Sequence, residues 1–203
     1  MKHKVYIFDF DGTLVHSNQL KRDAFYEISE EVTANRRVVD EVLAAIPDRS
    51  RFEIIDRIYA GLEPTTGKGK SREAIIEKAV TKYSKIVREG VLACPELEGA
   101  TALLATIFTN GGLIFVSSNT PGEFLGELIN ARGWDRYIQD YFGFPRQKGD
   151  TVGHILMSLN LTPASVLVIG DGISDKMAAH QNGCDYYEIT DSKSILNLGA
   201  LIS

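Results

Sequence analysis

Three short runs of consecutive apolar residues stand out along the chain, and each ends in polar or glycine residues. Val5-Tyr6-Ile7-Phe8 runs into Asp9, Leu113-Ile114-Phe115-Val116 into Ser117-Ser118-Asn119, and Val166-Leu167-Val168-Ile169 into Gly170-Asp171-Gly172. Unbroken runs rich in β-branched and aromatic side chains suit strands covered on both faces. Stretches with helical spacing of apolar positions lie between and after them, at about 98–110, 122–132, 149–160 and 174–182. Such alternation predicts an α/β protein with a parallel sheet and right-handed crossovers. Asp185-Tyr186-Tyr187-Glu188-Ile189 reads as a further strand, followed by a closing helix. Ligands of parallel sheets sit beyond the carboxyl ends of the strands. All three runs carry their polar residues there, so these residues can converge on one site.

Residues 16–90 break the alternation. They hold helix-like stretches at about 18–34, 36–46, 50–61 and 71–89, many charges and no good strand. Pro47 and the segment Pro64-Thr65-Thr66-Gly67-Lys68-Gly69 punctuate them as loops. The expected organisation is a core made of 1–15 and 91–203, with 16–90 inserted as a helical unit after the first strand.

Composition narrows the function. Apolar residues make up 44 % of the 203 and charged residues 24 %, an ordinary globular balance. Lys plus Arg number 22 against 27 Asp plus Glu, a formal charge of −5. That balance speaks against non-specific nucleic-acid binding, which needs a basic surface, but leaves room for a small anionic substrate met by a few local cations. Cys94 and Cys184 lie far apart in no metal-ligand spacing and read as reduced thiols of a cytoplasmic protein. The first strand-like run starts at Lys4, which leaves no room for a secretory signal. No apolar run approaches a membrane span of roughly 18–20 residues. Nothing in the pattern fixes an oligomeric state.

The chemistry concentrates at the strand ends. Asp9-Phe10-Asp11-Gly12-Thr13 sets two carboxylates one residue apart at the end of a buried strand. An isolated Asp there is an ordinary turn former. Two together repel unless a cation neutralises them, and Mg²⁺, which takes few carboxylates plus waters and phosphate oxygens, is the natural one. Gly170-Asp171-Gly172-Ile173-Ser174-Asp175 supplies a second acidic pair, Asp171 and Asp175. Asp175 has an equally good structural role as an acidic residue in the first turn of a helix. Lys148 opens a helix after Pro145-Arg146-Gln147. Alone it reads as a surface lysine, but near Asp9 it can neutralise a phosphoryl group in transfer. Ser118 or Ser117 ends the second strand and can offer a hydroxyl, with neighbouring backbone N–H groups, to phosphate.

The order Asp-x-Asp-Gly-Thr, strand ending in Ser-Asn, Lys, then Gly-Asp-x-x-x-Asp resembles the haloacid dehalogenase superfamily of phosphohydrolases. More narrowly, it is similar to subfamily I with a small helical cap, the phosphoglycolate phosphatase and β-phosphoglucomutase kind. The resemblance covers the whole chain and implies a Rossmann-like parallel sheet with helices on both faces and an inserted α-helical cap at 16–90. It implies Asp9 as the nucleophile that becomes an aspartyl-phosphate, and Asp11 as general acid and then base. Mg²⁺ would be held by the Asp9 carboxylate, the Asp11 backbone carbonyl and Asp171, with Asp175 as ligand or supporting partner. Lys148, Ser118 and its neighbours Ser117 and Asn119 would bind phosphoryl oxygens. Counting back from Asn119-Thr120-Pro121 favours Ser118 over Ser117. His16 stands where many relatives carry Asp.

The implied activity is Mg²⁺-dependent hydrolysis of a small phosphorylated metabolite. A mutase returning the phosphate to a sugar uses the same intermediate. A phospho-acceptor signalling module uses similar residues but needs no 75-residue insertion. Gly67-Lys68-Gly69-Lys70-Ser71 fails as a phosphate loop, since its glycine spacing is wrong and no buried strand precedes it. His3, His16, His154 and His180 show no paired ligand spacing, and Trp134, Tyr137, Tyr141 and Phe142 read as core packing. Arg22, Arg49, Arg51, Lys68 and Lys70 are unranked candidates for substrate selection.

Overall fold

The computed structural model describes residues 2–30, 36–46, 49–60 and 71–202. The chain divides into two compact units, Met1–Ser17 with Cys94–Ser203, and Asn18–Ala93.

The first unit is built on β1 (Val5–Phe8), α5 (Ala100–Thr109), β2 (Leu113–Pro121), α6 (Gly122–Ala131), β3 (Ile138–Phe144), α7 (Lys148–Ser158), β4 (Val166–Gly170), α8 (Ile173–Gln181), β5 (Asp185–Glu188) and α9 (Ser192–Ile202). Its five strands pair in parallel in the order β3-β2-β1-β4-β5. Side chains alternate across a strand. Val5 and Ile7 therefore share a face with Phe115, Val166 and Val168, packed on Val152 and Ile155 of α7 and Ala178 and Ala179 of α8. Tyr6 and Phe8 turn to the opposite face, where α5 packs on β2 and against α9. This double coverage is why the runs of β1 and β4 are unbroken and fully buried.

β3 was not legible as a strand. It lies at the edge, its Gln139, Asp140 and Tyr141 are exposed, and the apolar pattern is interrupted there. Of the aromatics expected in the core, Trp134 is fully buried, while Tyr141 is 39 % exposed and Tyr137 and Phe142 are half-buried. β2 also runs five residues beyond its apolar stretch, to Pro121.

The second unit comprises α1 (Asn18–Glu30), α2 (Arg36–Ala45), α3 (Arg51–Ala60) and α4 (Arg72–Ala93), each packed on its neighbour in sequence, with α1 also packed on α4. The α4 stripe of Ala79, Tyr83, Val87 and Val91, spaced by four, stays buried almost to the helix end. That stripe carries the helical unit to Ala93 rather than to about residue 90. Ser17 stays with the sheet unit, because Val15 bridges Glu96 and His16 N–H donates to the Pro95 carbonyl at 3.0 Å. Among the described residues no helix is long and apolar enough to cross a membrane.

Candidate active site

The chain leaves β1 toward β2 on one side and later returns to β4 on the other. The carboxyl ends of β1 and β4 thus flank a topological switch point, where such sheets hold ligands. Asp9 N–H donates to the Ile169 carbonyl at 2.8 Å, extending the ladder by one residue and fixing the start of the site. Side-chain oxygens of Asp9, Asp171 and Asp175 all lie within 4.8 Å of one another.

Lys148 joins them. Its Nζ stands 3.0 Å from Asp9 Oδ2 and 2.8 Å from Asp175 Oδ1, and the side chain is 7 % exposed. A cation at the first position of a helix opposes the macrodipole, so local helix preference does not explain it. The two carboxylates do: burial alone would lower the Lys148 pKa, but Asp9 and Asp175 override it and raise it.

Asp175 serves two neighbours. Gly172 caps α8, and its N–H donates to Asp175 Oδ2 at 3.3 Å while Oδ1 takes the lysine. A Cβ at Gly170 would stand 2.2 Å from the Asp175 carboxyl carbon, so glycine is required for that carboxylate to lie against the strand end. Asp171 Oδ1 accepts a hydrogen bond from Thr13 Oγ1 at 3.0 Å.

The Asp9 carboxyl has its Oδ1 fixed by the Phe10 N–H at 2.7 Å. Burial pushes its pKa well above the usual carboxylate range; Lys148 pulls it down, and Asp175, Asp171 and Asp11 push it up again. Burial likewise raises Asp175 against the pull of Lys148. One ammonium does not offset this many buried carboxylates. The donor set, all hard oxygen, fits a small divalent cation such as Mg²⁺.

Asp11 stands apart from that cluster. Its Oδ1 accepts from Ser17 Oγ at 2.6 Å, and its Oδ2 from Thr120 Oγ1 at 2.8 Å and Ser118 Oγ at 3.2 Å. Ser118 Oγ also accepts the Thr120 N–H at 3.0 Å. Ser117 is buried within β2 opposite Phe142 of β3, and Asn119 is exposed. Thr13, Ser17 and Thr120 were not singled out from sequence. Thr120 lies past the apolar run, where the strand becomes irregular, and no sequence signal marked it.

In the helical unit, Arg22 donates to Tyr26 and pairs with Asp40, and Arg49 lies 3.7 Å from Glu53. Arg51 Nε is buried and has no hydrogen-bond partner among the described residues. Lys68 and Lys70 lie outside the described residues, as do Pro47 and the loop 64–69.

Residues 3–183 match the model of the haloacid dehalogenase-like hydrolases. Over 194 residues the chain is 25 % identical to a phosphoglycolate phosphatase of Psychrobacter arcticus, covering 91 % of this chain and 82 % of the relative. It is 26 % identical over 186 residues to a 5'-nucleotidase of Pseudomonas aeruginosa, covering 87 % and 78 %. Among solved structures, CbbY from Rhodobacter sphaeroides in complex with phosphate superposes with a TM-score of 0.69 at 19 % identity, over 91 % of this chain and 84 % of that one. A subfamily IA hydrolase from Geobacter sulfurreducens gives a TM-score of 0.65 at 17 % identity, over 97 % and 96 %. These structural likenesses extend the fold comparison along nearly the whole chain.

Proposed function

The chain belongs to the haloacid dehalogenase-like hydrolases, and on that premise we propose that it hydrolyses a small phosphate monoester through a phosphoryl group carried on Asp9. The observation that carries this reading is Lys148, buried between Asp9 and Asp175 beside a three-carboxylate cluster. A carboxylate pressed out of ionisation by burial is a poor nucleophile unless positive charge restores it. Lys148 supplies part of that charge. Mg²⁺, held by the carboxylates of Asp9, Asp171 and Asp175 and the Asp11 carbonyl, would supply the rest and offset charge on the phosphoryl oxygens.

Asp9 Oδ2 attacks phosphorus, the bond to the leaving oxygen breaks, and Asp11 gives that oxygen its proton. Ser118 Oγ and Lys148 Nζ hold phosphoryl oxygens through the transfer. Water then attacks the same phosphorus as Asp11 takes its proton, and the bond to Asp9 breaks to return the free carboxylate. The sheet unit thereby recognises only phosphate. We assign choice of ester to the helical unit as a cap, with Arg22, Arg49, Arg51, Lys68 and Lys70 as its candidate cations. The named activities of the relatives, on phosphoglycolate and on 5'-nucleotides, favour a small anionic metabolite as substrate. We place it in the cytoplasm, where Cys94 and Cys184 would stay reduced.

Two variants test the assignment. Asp9→Asn removes all turnover, because an amide does not accept the phosphoryl group. Asp11→Asn gives a burst of about one p-nitrophenol per site and then slow turnover, since a nitrophenolate leaves without an acid but water still needs the base. Loss of burst and steady state to the same degree, with aryl and alkyl esters alike, would remove Asp11 from the acid–base role. Phosphate release across sugar phosphates, phosphoglycolate and nucleotides separates a hydrolase from a mutase.

A further inference from the structure

The end of β2 departs from a regular strand. Ser117 pairs with Phe142 of β3, but the next register partner of Phe144 is Pro121, so residues 118–120 bulge out of the ladder. Gly143 is the reason the bulge fits. A Cβ there would stand 2.5 Å from the Thr120 carbonyl oxygen and 2.4 Å from Gly122 N, so the two backbones meet where only glycine leaves room. The bulge pins the Thr120 backbone, and threonine's branched side chain restricts the direction of its hydroxyl. That hydroxyl lies 2.8 Å from Asp11 Oδ2 and the residue is buried.

Ser118 shares the same oxygen at the longer distance of 3.2 Å. A hydroxyl has one proton to give. Ser118 cannot donate to Asp11 while donating to a phosphoryl oxygen, so substrate binding withdraws its bond to the carboxyl. Thr120 is the closer donor and is not called on for phosphate.

We propose that Thr120 is a positioning residue that holds the Asp11 carboxyl in place for proton transfer when Ser118 turns to the phosphoryl group. This rests on the reading of Asp11 as general acid, and the test keeps the two apart. Thr120→Val has nearly the same shape and no hydroxyl; Thr120→Ser restores the hydroxyl. The value of kcat/KM reports steps through departure of the leaving group, so it is compared for an alkyl phosphate and for p-nitrophenyl phosphate. For Thr120→Val the alkyl ester should fall about 10- to 30-fold and the nitrophenyl ester less than about threefold, a fraction of the full effect of losing the acid. Thr120→Ser should recover most of the alkyl-ester rate.

The ratio between the two esters is internal to one preparation, so it does not depend on how much of the variant is folded, and Thr120→Ala reads the same ratio. Equal losses on both esters, no loss on the alkyl ester, or no recovery with serine overturns the proposal. Asp11→Asn measured alongside separates the failures. If it shows the ester dependence and Thr120→Val does not, only the role of Thr120 falls. If Asp11→Asn lacks the dependence, the acid assignment falls and the proposal with it.

Discussion

Replacing Lys148 with methionine keeps most of the stem's volume and removes the ammonium, which isolates its electrostatic role. At 3.0 Å from Asp9 and 2.8 Å from Asp175, each attraction is about 5–6 kcal/mol at an effective dielectric of about 20. Desolvation of the ammonium returns several kcal/mol of that, and breaking a buried ion pair on one side typically costs about 3–5 kcal/mol. At about 2–4 °C per kcal/mol for a chain of this size, the melting temperature should drop by roughly 6–20 °C in chelator at pH 8. The pH dependence has a definite sign. A carboxyl whose folded pKa is raised contributes stability that is full below its unfolded value and lost as pH rises through the folded one. Asp9 and Asp175 are both raised, so the metal-free protein should be more stable at pH 5 than at pH 8. Lys148 is the group that holds both down, so without it they rise further and the deficit of the variant widens between those pH values. Saturating Mg²⁺ should then narrow the deficit, since it binds the folded cluster preferentially. Thermal melts at pH 5 and 8, with EDTA or Mg²⁺, read all of this. A deficit below about 2 °C in EDTA at pH 8, or one that shrinks as pH rises, would refute the reasoning.

Activity should require Mg²⁺ and not accept Ca²⁺, which prefers more oxygens at longer distances; full turnover in excess chelator counts against the carboxylate cluster as a metal site. Gly170→Ala should displace the Asp175 carboxylate from its place against the strand end and weaken Mg²⁺ binding by about 10- to 100-fold, measured by the Mg²⁺ dependence of turnover; an unchanged dependence leaves Asp175 outside the site. Replacing Asn18–Ala93 with a short linker should leave a folded sheet unit that cleaves phosphate esters with little discrimination. Retained selectivity across the same esters would place the substrate pocket elsewhere.

The central strands were legible because burial on both faces leaves no polar position to interrupt Val5–Phe8 or Val166–Gly170. The helices were legible from their apolar stripes, with bounds shifted by a few residues where a stripe such as Val87 and Val91 runs on. An edge strand with an open face, Ile138–Phe144, carries no such run. Its Gly143 has meaning only beside the bulge it accommodates. Within the site, Asp9 and Asp171 could be singled out because charge at a buried strand end is costly and needs a reason, whereas Lys148 and Asp175, each with an ordinary local reading, stood out through their order along the chain. Asp11 could be singled out too, but not its separation from the other three, which depends on hydroxyls of Ser17 and Thr120 brought in from two segments. Hydroxyl residues sit at turns and strand ends for many local reasons, so their convergence is visible only in three dimensions.

The sheet order sets a timetable for synthesis. β1 lies between β2 and β4, yet Phe8 meets Val116 and Ile169 as its neighbours, and about a hundred residues must be added before the nearer of them exists. At 5–20 residues per second the wait is roughly 5–20 s. Through that interval an apolar strand of high β-propensity has no partner in its own sheet, the condition under which chains associate wrongly. The helices of Asn18–Ala93 make contacts between sequence neighbours and emerge next, so they can fold while β1 waits. The acidic residues Asp9 and Asp11 directly follow the strand, and charge beside a sticky segment discourages its pairing with another chain. Asp9, a proposed metal ligand of the finished protein, therefore also guards the nascent one, with Asp11 beside it.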